Sequence, residues 1–396
     1  MKTFYIIYSF INSWLKRDSV QTSLISEETA LIILIFVTET VTPEKTLKTA
    51  LITGISGQDG AYLAKFLLDK GYEVYGIFRR VSTPNFWRLQ ALGIENKVNL
   101  IPADITDFSS VLEAIRLVLP NEVYHLAAQS FVGASFESPI ATAQITGISS
   151  LNLLEAIRQV DPSIKFYFAA TSELYGNVKY NGKITEDTPF SPASPYAVAK
   201  LYGYWITRVY RESYKMFAVS GILFNHESEL RGLEFVTRKI SNGVAKIYLG
   251  LSNELKLGNL DARRDWGYAP EYVEAMWLMM QQDKPEDFII ATGESHSVRE
   301  FVEEAFSYVG LDWTKYVKID KRFFRPLDVN ELVGDYSKAK QKLGWEPRTT
   351  FKQLVRKMVD ADIERWRRWL KGERIPFDAP YYDENSLNII TRGLRV

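Results

Sequence analysis

Tyr196 and Lys200 stand four residues apart in the run Ser194-Pro195-Tyr196-Ala197-Val198-Ala199-Lys200. On a helix that spacing puts both side chains on one face. A lysine cation near a phenol favours the phenolate and lowers its pKa, which makes a proton-transfer group usable near neutral pH. Such pairs occur by chance in many helices, so the weight of this one comes from its company. Upstream lie a glycine-rich turn, Gly54-Ile55-Ser56-Gly57-Gln58-Asp59-Gly60, and a polar triplet, Thr171-Ser172-Glu173. Together the three point to a nicotinamide-dependent enzyme with an additional proton-transfer step.

Each motif has a plainer reading beside the chemical one. Gly54-x-x-Gly57-x-x-Gly60 follows a short apolar run and opens a helix, as expected where a backbone approaches a pyrophosphate at a helix N-terminus; the alternative is a tight turn with no ligand. The second predicted strand ends in Phe78-Arg79-Arg80 rather than in the acidic residue that would hold the ribose 2′-hydroxyl of NAD. Two guanidiniums suit a 2′-phosphate, so NADP is expected over NAD, against the alternative of a solvated basic strand end. Asp104-Ile105 follows the third strand and is a candidate for the adenine. Leu126-Ala127-Ala128-Gln129-Ser130 ends the fourth with small residues that leave room for a cofactor. A simple alcohol dehydrogenase or epimerase needs only a hydroxyl beside its tyrosine. The carboxylate of Glu173 implies removal and return of a further proton, unless it is an exposed loop glutamate or a helix cap.

Regular alternation of elements should position these groups. Strands are expected at 49–53, 73–78, 98–102, 122–126, 165–170 and 219–224, and helices at 61–70, 109–119, 151–160 and from Tyr196 to Tyr214. That pattern predicts an α/β fold, a Rossmann-type doubly wound parallel sheet with ligands at the carboxyl ends of its strands. Beyond Asn225 the alternation fades. The expected division is a nucleotide-binding domain over 48–225, a smaller and discontinuous substrate lobe over 226–375 with returns to the main domain, and a tail over 376–396. Residues 1–47 carry no site motif and read as an extension or an over-extended translation start.

The 396 residues include 48 basic and 48 acidic side chains, so the whole chain has no net field to draw in nucleic acid or an anionic membrane. There is no cysteine, which excludes disulfides and thiolate ligands and fits a reducing cytosol. His125, His226 and His296 are too scattered for a metal-ligand spacing, and no metal is expected. The longest apolar run, Ala30 to Val37, is far short of the roughly 18 residues of a membrane span and suits a buried strand.

Longer segments carry a family resemblance. GISGQDGAYL at 54–63, Arg79-Arg80, LAAQS at 126–130, TSELYG at 171–176 and SPYAVAK at 194–200 belong to the extended short-chain dehydrogenases/reductases. GILFNHES at 221–228, FVTRKI at 235–240, LGNLDARRDWGYAPEYVEAMW at 257–277 and GDYSKAKQKLGWEP at 334–347 narrow this. From about Lys48 to Leu370 the chain resembles the GDP-mannose 4,6-dehydratase family. The resemblance implies that Tyr196, supported by Lys200, takes the proton of the sugar 4-hydroxyl as hydride passes from C4 to NADP. Glu173 then removes the C5 proton, water leaves C6 with acid help from Glu173 and Thr171, and hydride returns to C6. It further implies His226 and Arg231 near the cofactor, and Ser130, Ser172, Glu173, Asn225, Arg264, Arg325 and, more remotely, Lys239 around GDP-mannose. A homodimer or homotetramer is implied as well. Two segments depart from the family pattern. Glu229-Leu230 stands where Pro-Arg is usual, which weakens the expectation of a tetramer, and 81–87 lacks the usual serine-rich run.

Three other readings use the same scaffold. A reductase of the 4-keto product would consume NADPH stoichiometrically. A nucleotide-sugar epimerase would not need Glu173. A non-catalytic NADP-binding sensor would need none of Thr171, Glu173, Tyr196 and Lys200.

Overall fold

The computed structural model describes residues 47–324, 331–373 and 378–379. The expectations for residues 1–46, including the strand at Ala30–Val37, and for Arg325 and most of the tail lie outside the described residues.

Seven strands form one parallel sheet. They are β1 (Thr49–Thr53), β2 (Glu73–Phe78), β3 (Asn99–Pro102), β4 (Glu122–His125), β5 (Lys165–Thr171), β6 (Ala218–Leu223) and β7 (Phe288–Ile290), in the order β7-β6-β5-β4-β1-β2-β3. The order reverses between β1 and β4, and a crevice opens there at the carboxyl ends of the strands. The six strands expected before residue 225 are present, each within a residue or so of its predicted bounds. Leu51, Val123, Phe166 and Ala218 face one side of the sheet, and Ala50, Ile52, Tyr124 and Val219 face the other; all are buried, as a sheet covered on both faces requires.

One face is covered by α2 (Phe108–Val118), α3 (Ser149–Val160) and α4 (Pro195–Tyr214); the other by α1 (Gln58–Asp69) and α6 (Ala269–Met280). Local chemistry sets the ends of α4. The Ser194 side chain accepts from the Ala197 amide at 3.1 Å, and Pro195 occupies the first turn, where its missing N–H costs nothing. At the other end Lys215 takes a left-handed conformation, φ 58°.

Helices α5 (Val236–Tyr248), α7 (Val298–Tyr308) and α8 (Phe351–Leu370) build a separate core around Ile240, Val244, Phe301, Leu354 and Met358. α8 starts at a capping box in which Thr350 and Gln353 satisfy each other's backbone amides. This second core meets the main sheet through paired short strands, Asn225–Glu227 with Trp266–Tyr268, which carry the chain past the mouth of the crevice. Among the described residues no helix is long and apolar enough to cross a membrane, and none group into a metal-binding cluster.

Candidate active site

The crevice at the strand ends is a cleft of about 650 Å³. Its floor is the turn from β1 into α1. Gly54 has φ +74°, and a Cβ there would lie 2.8 Å from the Ala127 amide nitrogen. A Cβ on Gly60 would lie 2.3 Å from the Gly54 carbonyl oxygen. Both positions therefore need glycine, and the resulting close cradle fits the pyrophosphate of a dinucleotide. Thr53 holds this floor to the end of β4. Its hydroxyl accepts from the Leu126 and Ala127 amides, each at 3.2 Å, and lies 2.8 Å from His125 Nδ1. His125 Nε2 is 3.1 Å from Ser149 Oγ, which itself donates to the Ile145 carbonyl. The network therefore makes Nε2 the donor and leaves His125 neutral, and burial holds its pKa down at about 3. His125 is a structural brace, and Thr53, buried behind the lining, supports the floor without any sequence signature.

Gln58 and Asp59 line the cleft, but their side chains are engaged with the strand after β6. Gln58 Nε2 donates to Asp59 Oδ1 and to the His226 carbonyl, and its Oε1 accepts from Ser228 Oγ at 2.7 Å. His226 Nε2 is 2.9 Å from Asp59 Oδ2, and its Nδ1 is 2.8 Å from the Phe224 carbonyl. Both partners are acceptors, so both ring nitrogens must donate and His226 is an imidazolium. The ring also stacks on Tyr272, with centroids 4.7 Å apart. Burial opposes both charges, yet the pair outweighs it, raising His226 and lowering Asp59 to about 2.

The polar triplet sits opposite. Thr171 ends β5, and its hydroxyl accepts from the Glu173 amide at 3.2 Å, which turns the chain and fixes Glu173 beside the cleft. Thr171, Ser172, Glu173, Tyr196 and Lys200 are all buried and all line the cleft. The sequence expectation for the Tyr196–Lys200 pair needs one correction. The two side chains do share a helix face, but Lys200 Nζ donates to the Ala169 carbonyl at 2.6 Å and lies 6.0 Å from the Tyr196 ring centroid. Burial drives Tyr196 above its usual range, Glu173 adds to the rise, and the Thr171 hydroxyl bond opposes it. Burial also pulls Lys200 down to about 8. The phenol is therefore high in this arrangement because it is buried, while the Lys200 ammonium donates to a backbone carbonyl rather than to the phenol oxygen.

Gly54, Ser56, Gly57, Gly60, Arg79, Asp104, Ile105, Leu126, Ala127, Ala128, Gln129, Ser130, Asn225, Arg231 and Arg264 also line the cleft. Asp104 accepts from the Thr106 amide and hydroxyl, which hold its pKa down. Ile55 points its side chain into the core, leaving only its backbone for the turn, and Arg80 is exposed outside the lining. Lys239 is also outside the lining, its Nζ 3.1 Å from the Phe323 ring centroid. Arg231 Nε lies 2.9 Å from the buried Glu227, and its guanidinium rests on the Phe235 ring at 3.5 Å. The departure at 229–230 is accommodated internally. Glu229 accepts from the phenols of Tyr62 and Tyr268, and Leu230 is buried. Arg88 is a lining residue that motif reading overlooked. It donates to the Leu230 carbonyl at 2.8 Å and the Ser56 carbonyl at 3.1 Å, and burial lowers its pKa to about 10. Its only sequence signal is a basic residue just beyond the Arg79-Arg80 strand end.

A doubly wound sheet, a glycine cradle and a Tyr-x-x-x-Lys face beside Thr171 and Glu173 define an enzyme of the extended short-chain dehydrogenase/reductase class. Comparison with known proteins narrows the class. The family model described as GDP-mannose 4,6 dehydratase matches residues 51–358. A GDP-mannose 4,6 dehydratase of Cricetulus griseus is 52% identical over 348 residues, covering 82% of this chain and 93% of that protein. One from Vibrio cholerae is 48% identical over 351 residues, covering 80% and 94%. Among solved structures, a UDP-glucose 4-epimerase of Thermotoga maritima has a TM-score of 0.71 at 25% identity, covering 81% of this chain and 99% of that one. The chain belongs to the GDP-mannose 4,6-dehydratase family.

Proposed function

We propose that the protein is a hydro-lyase that converts GDP-mannose to GDP-4-keto-6-deoxymannose and water, using a nicotinamide cofactor that is regenerated in each cycle. The observation that carries this reading is the convergence of Glu173 with Tyr196 and Thr171 in one cleft, beyond what a simple dehydrogenase or epimerase requires. A nicotinamide held by the glycine turn and Arg79 would supply reversible hydride chemistry between the sugar C4 and C6. Tyr196 accepts the proton of the 4-hydroxyl. The resulting ketone acidifies C5–H, and Glu173 removes that proton. The C6 hydroxyl leaves as water with acid help from Glu173 and the Thr171 hydroxyl. Ser172 supplies no carboxylate, while Asp59 is held by His226 and Asp104 by Thr106. That supports Glu173 serving first as base and then as acid.

The glycine cradle and Asp104 suit either nicotinamide dinucleotide, and the Arg79 guanidinium at the mouth of the cleft favours NADP by matching a 2′-phosphate. Arg79→Ala is expected to weaken NADP binding by roughly tenfold to a hundredfold and NAD binding little. Equal losses for both in a titration would remove Arg79 from 2′-phosphate recognition. Asn225 and Arg264 line the cleft on the side of the second core, which supports residues 226–375 as the main sugar-nucleotide lobe. A homodimer is the assembly we favour. Val198, Tyr202, Trp205 and Val209 leave an apolar stripe exposed along α4 at helical spacing, a face suited to a second copy; light scattering at twice the chain mass is the expected result.

The function is tested by incubating purified protein with GDP-mannose and catalytic NADP. A sugar nucleotide lighter by one water, with no net NADPH, is the expected product. Unchanged GDP-mannose, or stoichiometric consumption of NADPH with the 4-keto sugar, would replace the dehydratase reading.

A further inference from the structure

Three consecutive backbone carbonyls on the loop that carries Arg231 are each held by a guanidinium. The Glu229 carbonyl accepts from Arg365 and, at 3.3 Å, from Arg238 Nη1. The Leu230 carbonyl accepts from Arg88 at 2.8 Å, and the Arg231 carbonyl from Arg238 Nη1 at 2.9 Å. Arg238 is completely buried, so its charge must be balanced inside the protein. Its Nε donates to Asp362 at 2.9 Å and 3.0 Å, and its Nη2 to Asp378 Oδ1 at 2.8 Å. Arg365 uses the same two carboxylates: Nη1 donates to Asp362 at 3.1 Å, and Nε lies 2.8 Å from Asp378 Oδ2. Asp362 belongs to α8, but Asp378 comes from beyond it, far along the chain from every cleft residue, and is itself buried. Burial would raise its pKa, and the two arginines reverse that and hold it down.

We propose that Asp378 is a positioning residue for the cofactor cleft. It divides the charge of Arg238 and Arg365 with Asp362, so that both guanidiniums stay aimed at the 229–231 carbonyls and set the backbone from which Arg231 enters the cleft. With Asp378 neutral, the buried Arg238 and the largely buried Arg365 share one carboxylate. They turn toward it or draw in water, and the loop carbonyls lose their donors. Arg231 then keeps its contacts with Glu227 and Phe235 only at the expense of its place against a bound ligand. The inference rests on the reading that this cleft binds NADP.

Asp378→Asn keeps the shape and one acceptor while removing the charge. Titration of the purified full-length variant with NADP is expected to show Kd weakened about tenfold. The KM for NADP should rise in step, while kcat at saturating cofactor stays within about threefold, because no reacting atom is touched. In an Arg231→Ala background the same change is expected to leave Kd where Arg231→Ala alone puts it, since the residue through which Asp378 acts is gone. An Asp378→Asn chain with unaltered NADP affinity would overturn the proposal, and so would an equal loss of affinity in both backgrounds. If Asp378→Asn does not fold, Arg365→Gln takes its place. It removes one of the Glu229 carbonyl donors from outside the cleft, with the same expectations and the same overturning results. The titration of the unmodified chain reports separately on the functional reading, because a chain that binds no NADP fails there and not at Asp378.

Discussion

Glu173→Gln is expected to stop dehydration while leaving oxidation at C4 in place. Glutamine preserves the shape of a side chain whose backbone amide is anchored on Thr171, but it cannot take the C5 proton. Loss of a positioned general base costs on the order of 10²–10⁴ in rate, so formation of the 4-keto-6-deoxy product should fall about a thousandfold. The ketone should still form, with the reduced nicotinamide accumulating to near the concentration of active sites. Mass spectrometry of the sugar nucleotide with absorbance of the reduced cofactor separates the two half-reactions. Full turnover by the glutamine variant would exclude Glu173 as the base. Absence of both signals would instead place it in the binding of substrate.

Tyr196→Phe should fail one step earlier, with turnover down about a thousandfold and no reduced cofactor at all. The pair of variants therefore distinguishes the two proton acceptors by where each stops. The pH profile tests how Tyr196 is made usable. Burial pushes the phenol up, and Lys200, the cation on its helix face, is pulled down to about 8. The active pair, phenolate with ammonium, is one proton short of the fully protonated site, so kcat/KM should rise with pH up to about 8 and level off above it. A rate that continues to climb well above that value would show that the positive charge of Lys200 is not required. Lys200→Met would then leave the alkaline limb unchanged.

The glycine turn was legible because backbone sterics write themselves into sequence. Gly54 and Gly60 sit where a Cβ would collide with Ala127 and with the turn itself, and no other residue type suits. The strands were legible because a sheet buried on both faces needs continuous apolar runs, and the start of α4 because Ser194 and Pro195 are its cap and first turn. The triplet Thr171-Ser172-Glu173 and the helical Tyr196–Lys200 spacing likewise announced which groups would meet, since both lie within a few residues of a strand or helix end.

What remained hidden were contacts between segments distant along the chain. Asp59 and His226, 167 residues apart, become a charged pair because a short strand after β6 crosses the glycine turn. His125 ends β4 beside the cleft, but Thr53 and Ser149 fix it as neutral. Arg88 and Asp378 carry no motif, because their partners are backbone carbonyls and buried charges brought close only by packing of the second core.

The sequence by itself determined the doubly wound sheet, the glycine cradle and the convergence in one cleft of the residues proposed for proton transfer. These depend on local sterics, periodicity and short spacings that the chain must satisfy wherever the rest of it goes. The tertiary structure alone decided the protonation states of His125 and His226, the carbonyl that holds Lys200, and the charges that set Arg231 in place. Those depend on burial and on partners brought in from elsewhere in the chain, Ala169, 31 residues from Lys200, and Asp59, 167 from His226, and no local pattern encodes the dielectric or the neighbour that a folded chain will supply.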